Sequence, residues 1–270
     1  MVKKFLHPTL LFVACLSACS EDNELSSDRN PLVVESYLHV NRPLKVIVSN
    51  LVGVQAIDVD HLNVSITSNE GIVILSSVGY GIYTSDSNDL VRDDAGDYTL
   101  KIATGTGEIS SLTVIPTKPI DFQLSKTEME IEPIDFSNGF PSGGFSNESV
   151  DLTWSNQSDE YYFTFFQNID DNPELINSAL DTIGGNAPML FFRGEPIQGN
   201  SSTIRSRQFQ YYGRYHVILF HVNPDYAALY KEQENTSSLN LTSPFTNVVN
   251  GLGIFTAIHS DTILFTVKKP

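Results

Sequence analysis

The sequence predicts a mainly β protein built as two antiparallel β-sandwiches in tandem, with one short helix in the second. Three observations predict it. From Asn30 onward, short runs of alternating apolar and polar residues are bounded by Gly, Asn, Asp and Pro, the signature of strands buried on one face. Pro116 and Pro119 interrupt that pattern near the middle of the chain, where prolines break pairing and stiffen a linker. Two similar corners, Gly96-Asp97-Tyr98 and Gly213-Arg214-Tyr215, fall one in each half. With 270 residues, 41% of them hydrophobic and 18% charged, the chain has material for one large or two medium domains. The expected division is 1–18 leader, 19–30 acidic linker, 31–117 first sandwich and 118–270 second sandwich.

In the first half, Leu32 to Val40 and Leu44 to Ser49 read as strands joined across Asn41-Arg42-Pro43. Leu62, Val64 and Ile66 alternate with polar residues, and Ser68-Asn69-Glu70-Gly71 turns the chain into Ile72-Val73-Ile74-Leu75, a hairpin. Gly79 to Ser85 reads as one further strand. Tyr98, Leu100 and Ile102 share a face, a Gly105-Thr106-Gly107 turn follows, and Leu112 and Val114 lie in the return strand. The corner Asp94-Ala95-Gly96-Asp97-Tyr98 resembles the tyrosine corner of immunoglobulin-like sandwiches, whose hydroxyl ties back to upstream backbone.

In the second half, Ile120 to Ile131 opens the domain and Asn138 to Gly144 is a loop by composition. Val150, Leu152 and Trp154 alternate inward, and Tyr161 to Phe166 carries aromatic residues on both faces. A Trp strand followed by an aromatic strand resembles a fibronectin-like sandwich, with the Trp as core. Arg205 to Tyr212 and Tyr215 to Phe220 read as a second hairpin around Gly213. Asn223-Pro224-Asp225 combines a capping residue, a first-turn proline and a first-turn acid, which predicts a helix to about Gln233 with Tyr226, Leu229 and Tyr230 on one face. Asn247 to Phe255 and Thr262 to Val267 read as two closing strands.

The N-terminus carries an address. Lys3 and Lys4 precede an apolar run from Thr9 to Leu16, and Ser17 and Ala18 stand directly before Cys19. That charged-then-apolar layout is an export signal, and the run is well short of the roughly 20 apolar residues a membrane span needs. Leu16-Ser17-Ala18-Cys19 resembles the lipobox at which bacterial signal peptidases leave an acylated cysteine. Cys19 is the expected lipid attachment site, carrying a diacylglycerol and an acyl chain, enough to hold a protein on a membrane. Ser20-Glu21-Asp22 resembles the acidic tag that sends some lipoproteins to the outer leaflet; a solvated acidic linker has the same composition.

Loss of Lys3 and Lys4 removes two of the 16 basic residues and none of the 32 acids, taking the formal net charge from −16 to −18. A nucleic-acid partner, which needs a basic stripe, is excluded, as is adsorption to anionic headgroups. Of the two cysteines, Cys15 leaves with the leader and Cys19 is acylated, so no thiol is left for a disulfide, metal site or catalysis. No nucleophile elbow, His-Glu-x-x-His run or phosphate loop is present, so neither catalytic residues, metal ligands nor a cofactor are expected. His216 and His221 fall on opposite sides of a strand and read as surface or strand-end positions. Asp86, Asp89, Asp93, Asp94 and Asp97 lie close together but lack calcium-loop spacing. Asp181-Thr182-Ile183 and Asp261-Thr262-Ile263 resemble an O-glycosylation sequon, placing possible sugars on Thr182 and Thr262, although chance strand composition explains them nearly as well.

Leu32-Val33-Val34-Glu35 behind the acidic linker, the Gly96-Asp97-Tyr98-Thr99-Leu100 corner, Leu152-Thr153-Trp154 and the late Asn250-Gly251-Leu252-Gly253-Ile254-Phe255 together resemble domain-of-unknown-function family 4249. The resemblance implies an outer-membrane lipoprotein, often encoded beside a TonB-dependent transporter, with no assigned activity. The expectation is therefore a non-enzymatic, lipid-anchored surface protein acting as an accessory or ligand-presenting module for such a transporter. The alternative is an independent glycan-binding or adhesive surface module, and the third is a hydrolase with an unrecognised carboxylate site; a glycan or peptide is the possible ligand. Binding is expected on loops of the rigid scaffold, at Phe140 to Phe145 or Phe191 to Gly199.

Overall fold

The computed structural model describes residues 32–51, 53, 56–94, 96–105, 107–134, 148–177, 189–235 and 245–270. Cys19, Ser20, Glu21, Asp22, Thr182 and the Phe140 to Phe145 loop lie outside the described residues. The first half contributes β1 (Leu32–His39), β2 (Lys45–Asn50), β3 (Asn63–Ser68), β4 (Gly71–Ile74), β5 (Ser76–Gly79), β6 (Ile82–Thr84), β7 (Asp97–Thr104) and β8 (Gly107–Val114). The second contributes β9 (Ile120–Leu124), β10 (Glu128–Glu130), β11 (Ser149–Ser155), β12 (Tyr161–Asn168), β13 (Phe191–Arg193), β14 (Ser201–Arg205), β15 (Gly213–Val222), α1 (Pro224–Asn235) and β16 (Leu252–Lys268).

These strands form three sheets, and one sheet serves both halves. The nine-stranded sheet runs β13-β12-β15-β16-β1-β2-β6-β5, with β10 also on β16. Facing it are a four-stranded sheet, β4-β3-β7-β8, and a three-stranded sheet, β14-β11-β9. The protein is thus mainly β, built of facing sheets that share one large sheet, with mostly antiparallel pairing and one helix among the described residues. Two larger cores fill the two sandwiches: Val34, Val46, Val64, Leu100 and Ile102 in the first, and Leu152, Trp154, Phe166, Phe209 and Tyr215 in the second.

The 17-residue β16 joins them. Its first part pairs in parallel with β1, from Val33↔Leu252 to His39↔Ile258. The remainder pairs antiparallel with β15, from Val222↔Ile258 to Gly213↔Val267. This corrects the expectation of two closing strands: the run is continuous, with Phe255 and Ala257 buried in the first core and Phe265 and Val267 in the second. Alternation at period two keeps all four on one face. Gly253 sits where β16 meets β1, with φ 102°, and a Cβ there would lie 2.0 Å from the Val34 carbonyl oxygen. Only glycine tolerates both the conformation and the approach.

Both corners close as their residues suggest. The Tyr98 hydroxyl accepts from the Arg92 backbone N–H at 2.8 Å and donates to the Arg92 carbonyl at 3.2 Å. The Tyr215 hydroxyl donates to the Tyr211 carbonyl at 2.8 Å and accepts from its N–H at 3.3 Å. Each phenol is buried, so the hydroxyl stays neutral and meets the backbone's need for partners.

Other expectations change. Of the expected strand Arg205 to Tyr212 only Arg205 lies in a named strand, at the end of β14 against β11; the 3-10 turn at Ser206–Gln208 redirects the chain between sheets, so the hairpin around Gly213 does not form. Gly79 to Ser85 is broken at Tyr80 and Gly81, both at positive φ, which turns β5 back against β6. On β8 the apolar Leu112 and Val114 point outward, 54% and 51% exposed, while Ser111 and Thr113 face in. Those two hydroxyls hold the second half: Ser111 donates to the Asn247 carbonyl at 2.8 Å, and Thr113 accepts from the Asn223 amide at 3.0 Å. The helix starts at Pro224 as its signals dictate, and the inward alternation of Val150, Leu152 and Trp154 is borne out.

Candidate functional site

The nine-stranded sheet buries one face in the two sandwiches; its other face carries rings. On β12 the even positions Tyr162 and Phe166 enter the second core, so the odd positions Tyr161, Phe163 and Phe165 project outward. Cross-strand register then assembles an aromatic cluster. Phe163 faces Phe220 on β15, Phe165 faces Arg193 on β13, and Glu35, Tyr37 and His39 alternate outward along β1. Helix α1 closes one side with Tyr226, Leu229 and Tyr230. The result is a groove of about 470 Å³ at the junction of the two halves, within the roughly 300–1,000 Å³ of small-ligand sites.

The rings contact one another in series. Phe165 stacks on Phe191 at 5.6 Å, and Phe220 stacks on Phe163 at 4.8 Å. Phe163 in turn lies against Tyr226 at 5.4 Å and 10°, and Tyr226 meets Tyr37 edge-on at 5.9 Å. Phe220 meets Phe165 at 71° and His39 at 80°. Phe163 and Tyr226 are buried and Phe165 and Phe220 partly so, whereas Phe191 is 51% exposed.

Arg193 is the cation of this groove. Its guanidinium lies 5.1 Å from the Phe163 ring centre, 5.3 Å from Tyr226 and 5.2 Å from Tyr230, and it donates to the Tyr226 hydroxyl. Ring faces attract a guanidinium electrostatically, so three of them fix its position. Among the described residues no carboxylate forms an ion pair with Arg193, although Arg92 pairs with Glu70 and Asp94 and Arg214 with Asp170. Of the described residues lining the groove, Glu35 supplies the one carboxylate. Burial, then the Glu35 charge and Tyr226, push the Tyr37 phenol up to about 12, against the opposing charge of Arg193. Burial also raises Tyr226, again against Arg193. Burial and then the Arg42 charge lower the His39 pKa, favouring the neutral ring. The groove at neutral pH therefore offers neutral rings, one held cation and one exposed carboxylate.

The sequence expectations distribute unevenly over this geometry. The stretch Phe191 to Gly199 does contribute, through Phe191 and Arg193, but as an edge strand in its first three residues. His216 is exposed, and His221 stands at the end of β15 as expected but is buried, which corrects its reading as a surface residue. Its Nδ1 donates to the Thr117 carbonyl at 2.7 Å, its Nε2 lies 3.2 Å from Glu160, and its ring stacks on Tyr162 at 4.5 Å. Burial lowers its pKa, opposed by the Thr117 bond and the Glu160 charge. It ties the linker to the inner face of the sheet, outside the groove. Thr262 is exposed on β16, opposite Ile218. The acidic loop borders a polar cavity of about 640 Å³, where Glu70 and Asp94 both already engage Arg92 at 3.0 and 3.2 Å. Among the described residues no three of His, Cys, Asp and Glu assemble as a metal-holding group.

The aromatic run on β12 signals the groove in the sequence, since rings on both faces cannot all enter one core. Arg193, Glu35 and Tyr37 carry no such signal. They come from strands far apart in the chain and meet only through sheet order.

A family model described as "Domain of unknown function (DUF4249)" matches residues 21–263. The chain belongs to this family. No curated protein sequence matches it. Among solved structures, a run of titin domains aligns over 88% of this chain and 67% of its own length, at 11% identity and TM-score 0.23. The fibronectin domains of chicken CNTN1 align over 73% of this chain and 63% of theirs, at 14% identity and TM-score 0.28. A Salmonella alpha-2-macroglobulin mutant aligns over 90% of this chain and 16% of its own, at 13% identity and TM-score 0.19. Likenesses at these scores carry no argument about what this chain does.

Proposed function

We propose that this DUF4249 protein is a non-enzymatic binding module, anchored through Cys19 to the outer membrane and facing the exterior, that presents a ligand to a TonB-dependent transporter. The observation that carries the reading is the groove on the outer face of the shared sheet. Rings and a guanidinium held in place bind a molecule by stacking and charge, and two facing carboxylates of the kind a hydrolase needs are not among its described lining residues. The lipobox and the acidic residues after it support the location. Among the described residues no helix is long and apolar enough to cross a membrane, so attachment in this reading rests on the lipid. The half-buried rings turn by 71° and 80° around Phe220, which gives a flat sugar-stacking platform less support than a shaped groove.

The reading is tested in two steps. Cys19→Ser is expected to block processing of the precursor and release the protein from sedimented membranes; a variant still trimmed and still sedimenting as before overturns the anchor. The acylated protein, purified from detergent-solubilised outer membranes, is expected to bring a TonB-dependent transporter with it. Recovery without any transporter subunit overturns the accessory role.

A further inference from the structure

We infer that the groove takes an apolar or aromatic molecule carrying one carboxylate, with Arg193 as its anion anchor. The inference deepens the proposed binding role and rests on the groove being the ligand site. Three observations carry it. First, the protein holds twice as many acids as bases, yet Arg193 forms no ion pair with any described carboxylate and is held instead by the faces of Phe163, Tyr226 and Tyr230. A guanidinium has five N–H donors in a planar fork. Bonding the Tyr226 hydroxyl engages one of its nitrogens, and the exposed side chain has donors left to meet a carboxylate in two-pronged fashion.

Second, the wall beside that fork is apolar and sized for a small molecule. Phe165 stands opposite Arg193 on the neighbouring strand, Phe220 and Phe191 extend the surface, and the space is about 470 Å³. A carboxylate on Arg193 thus leaves its apolar body against these rings. Third, the groove carries its own negative group: Glu35 lines it and is exposed. A second anionic group on the ligand would meet that charge, so a monoanion is favoured. The same chemistry is offered by a free aromatic acid and by the terminal carboxylate of an apolar peptide.

The experiment is equilibrium binding to the full mature protein by calorimetry, with naphthoate, naphthamide and the naphthylmethyl ammonium ion as probes. Naphthoate is expected to bind at least about tenfold more tightly than the amide, the order of one charge-assisted interaction, and the cation more weakly still. In Arg193→Gln the preference for acid over amide is expected to vanish, and in Arg193→Lys to persist in reduced form. Phe165→Ala is expected to weaken acid and amide alike, and thermal melting confirms that each variant is folded. An N-acetylated apolar peptide ending in phenylalanine, as free acid and as amide, separates the sources: tighter binding than naphthoate assigns a peptide end, weaker binding a free acid. Equal binding of acid and amide overturns the inference, as does a preference that survives in Arg193→Gln or failure of every probe to bind. A protein that still co-purifies with a transporter under those results keeps its proposed accessory role and loses only this ligand class.

Discussion

The two sandwiches use one strand and one corner device but fill their cores differently. The first is packed mainly with Val, Ile and Leu, relieved by Tyr83, Tyr98 and Phe255. The second is packed with rings: Phe122, Trp154, Tyr162, Phe166, Phe209, Tyr212, Tyr215 and Phe265. β-Branched residues pack well on a pleated face and need an alternating strand; their strands in the first half show it, with polar positions between. The second half supplies rings on successive positions of β12, so only two of the five, Tyr162 and Phe166, enter the second core. The surplus on the outer face becomes the groove. A site can therefore arise where a strand carries more aromatic surface than its own sandwich is able to bury.

The largest effects should come from the shared strand. Phe255→Ala and Phe265→Ala each remove a fully buried ring, one from each core, and are expected to cost about 3–5 kcal/mol apiece. Phe265 also loses a stacking partner, Phe209, at 5.4 Å. If β16 binds the sandwiches into one unit, both variants lower the midpoint of a single urea transition. Two separate transitions, each sensitive to one variant, would break the comparison as drawn.

Next in size are the corners. Tyr98→Phe and Tyr215→Phe keep the ring and delete the hydroxyl, leaving the backbone N–H and C=O of Arg92 or Tyr211 without that partner. A loss of about 1–2 kcal/mol is expected for each, read as a shifted urea midpoint with unchanged slope. The Tyr215 variant should lose more, because its hydroxyl bonds the shorter and tighter turn, from four residues upstream. Equal losses would sharpen the view that the two corners are interchangeable.

A further effect is confined to alkali. Tyr37 in the groove and Tyr162 in the second core are both pushed up to about 12, in each case first by burial and then by a neighbouring carboxylate, Glu35 or Glu160. The unfolded chain releases these protons near pH 10 and the folded chain only near 12, so the unfolded state binds fewer protons in that window. Stability should fall as pH rises from about 10 towards about 12 and be insensitive to these groups below it. Tyr37→Phe and Tyr162→Phe should each flatten the decline. A stability curve unchanged by both replacements would separate these phenols from the alkaline transition.

Much of this was legible residue by residue. The faces of β7 and β11, the corner at Tyr98, the helix start at Pro224 and the core role of Trp154 all follow from local chemistry, because a side chain's face on a strand is fixed by its parity. The candidate site was legible only in part: β12 announced surplus rings and the stretch Phe191 to Gly199 holds Arg193, whereas Glu35 and Tyr37 carried no signal of a site. Local pattern also misled where a distant element intervened. Ser111 and Thr113 turn inward because Asn247 and Asn223, more than a hundred residues away, supply the hydrogen bonds that make burial of a hydroxyl tolerable.

By itself, then, the order of residues determined most of the segments that extend, the turns at Gly71 and Gly107, and the start of the helix. Tertiary structure alone decided that residues 201–205 join β11, that β16 runs unbroken through both sandwiches, and that β1 and β13 lend their outer faces to one groove. The physical reason is that alternation encodes a face but no partner. Which strand lies beside which is settled by the packing of whole sheets, and only that packing brings Glu35, Arg193 and the rings of β12 and β15 to one place.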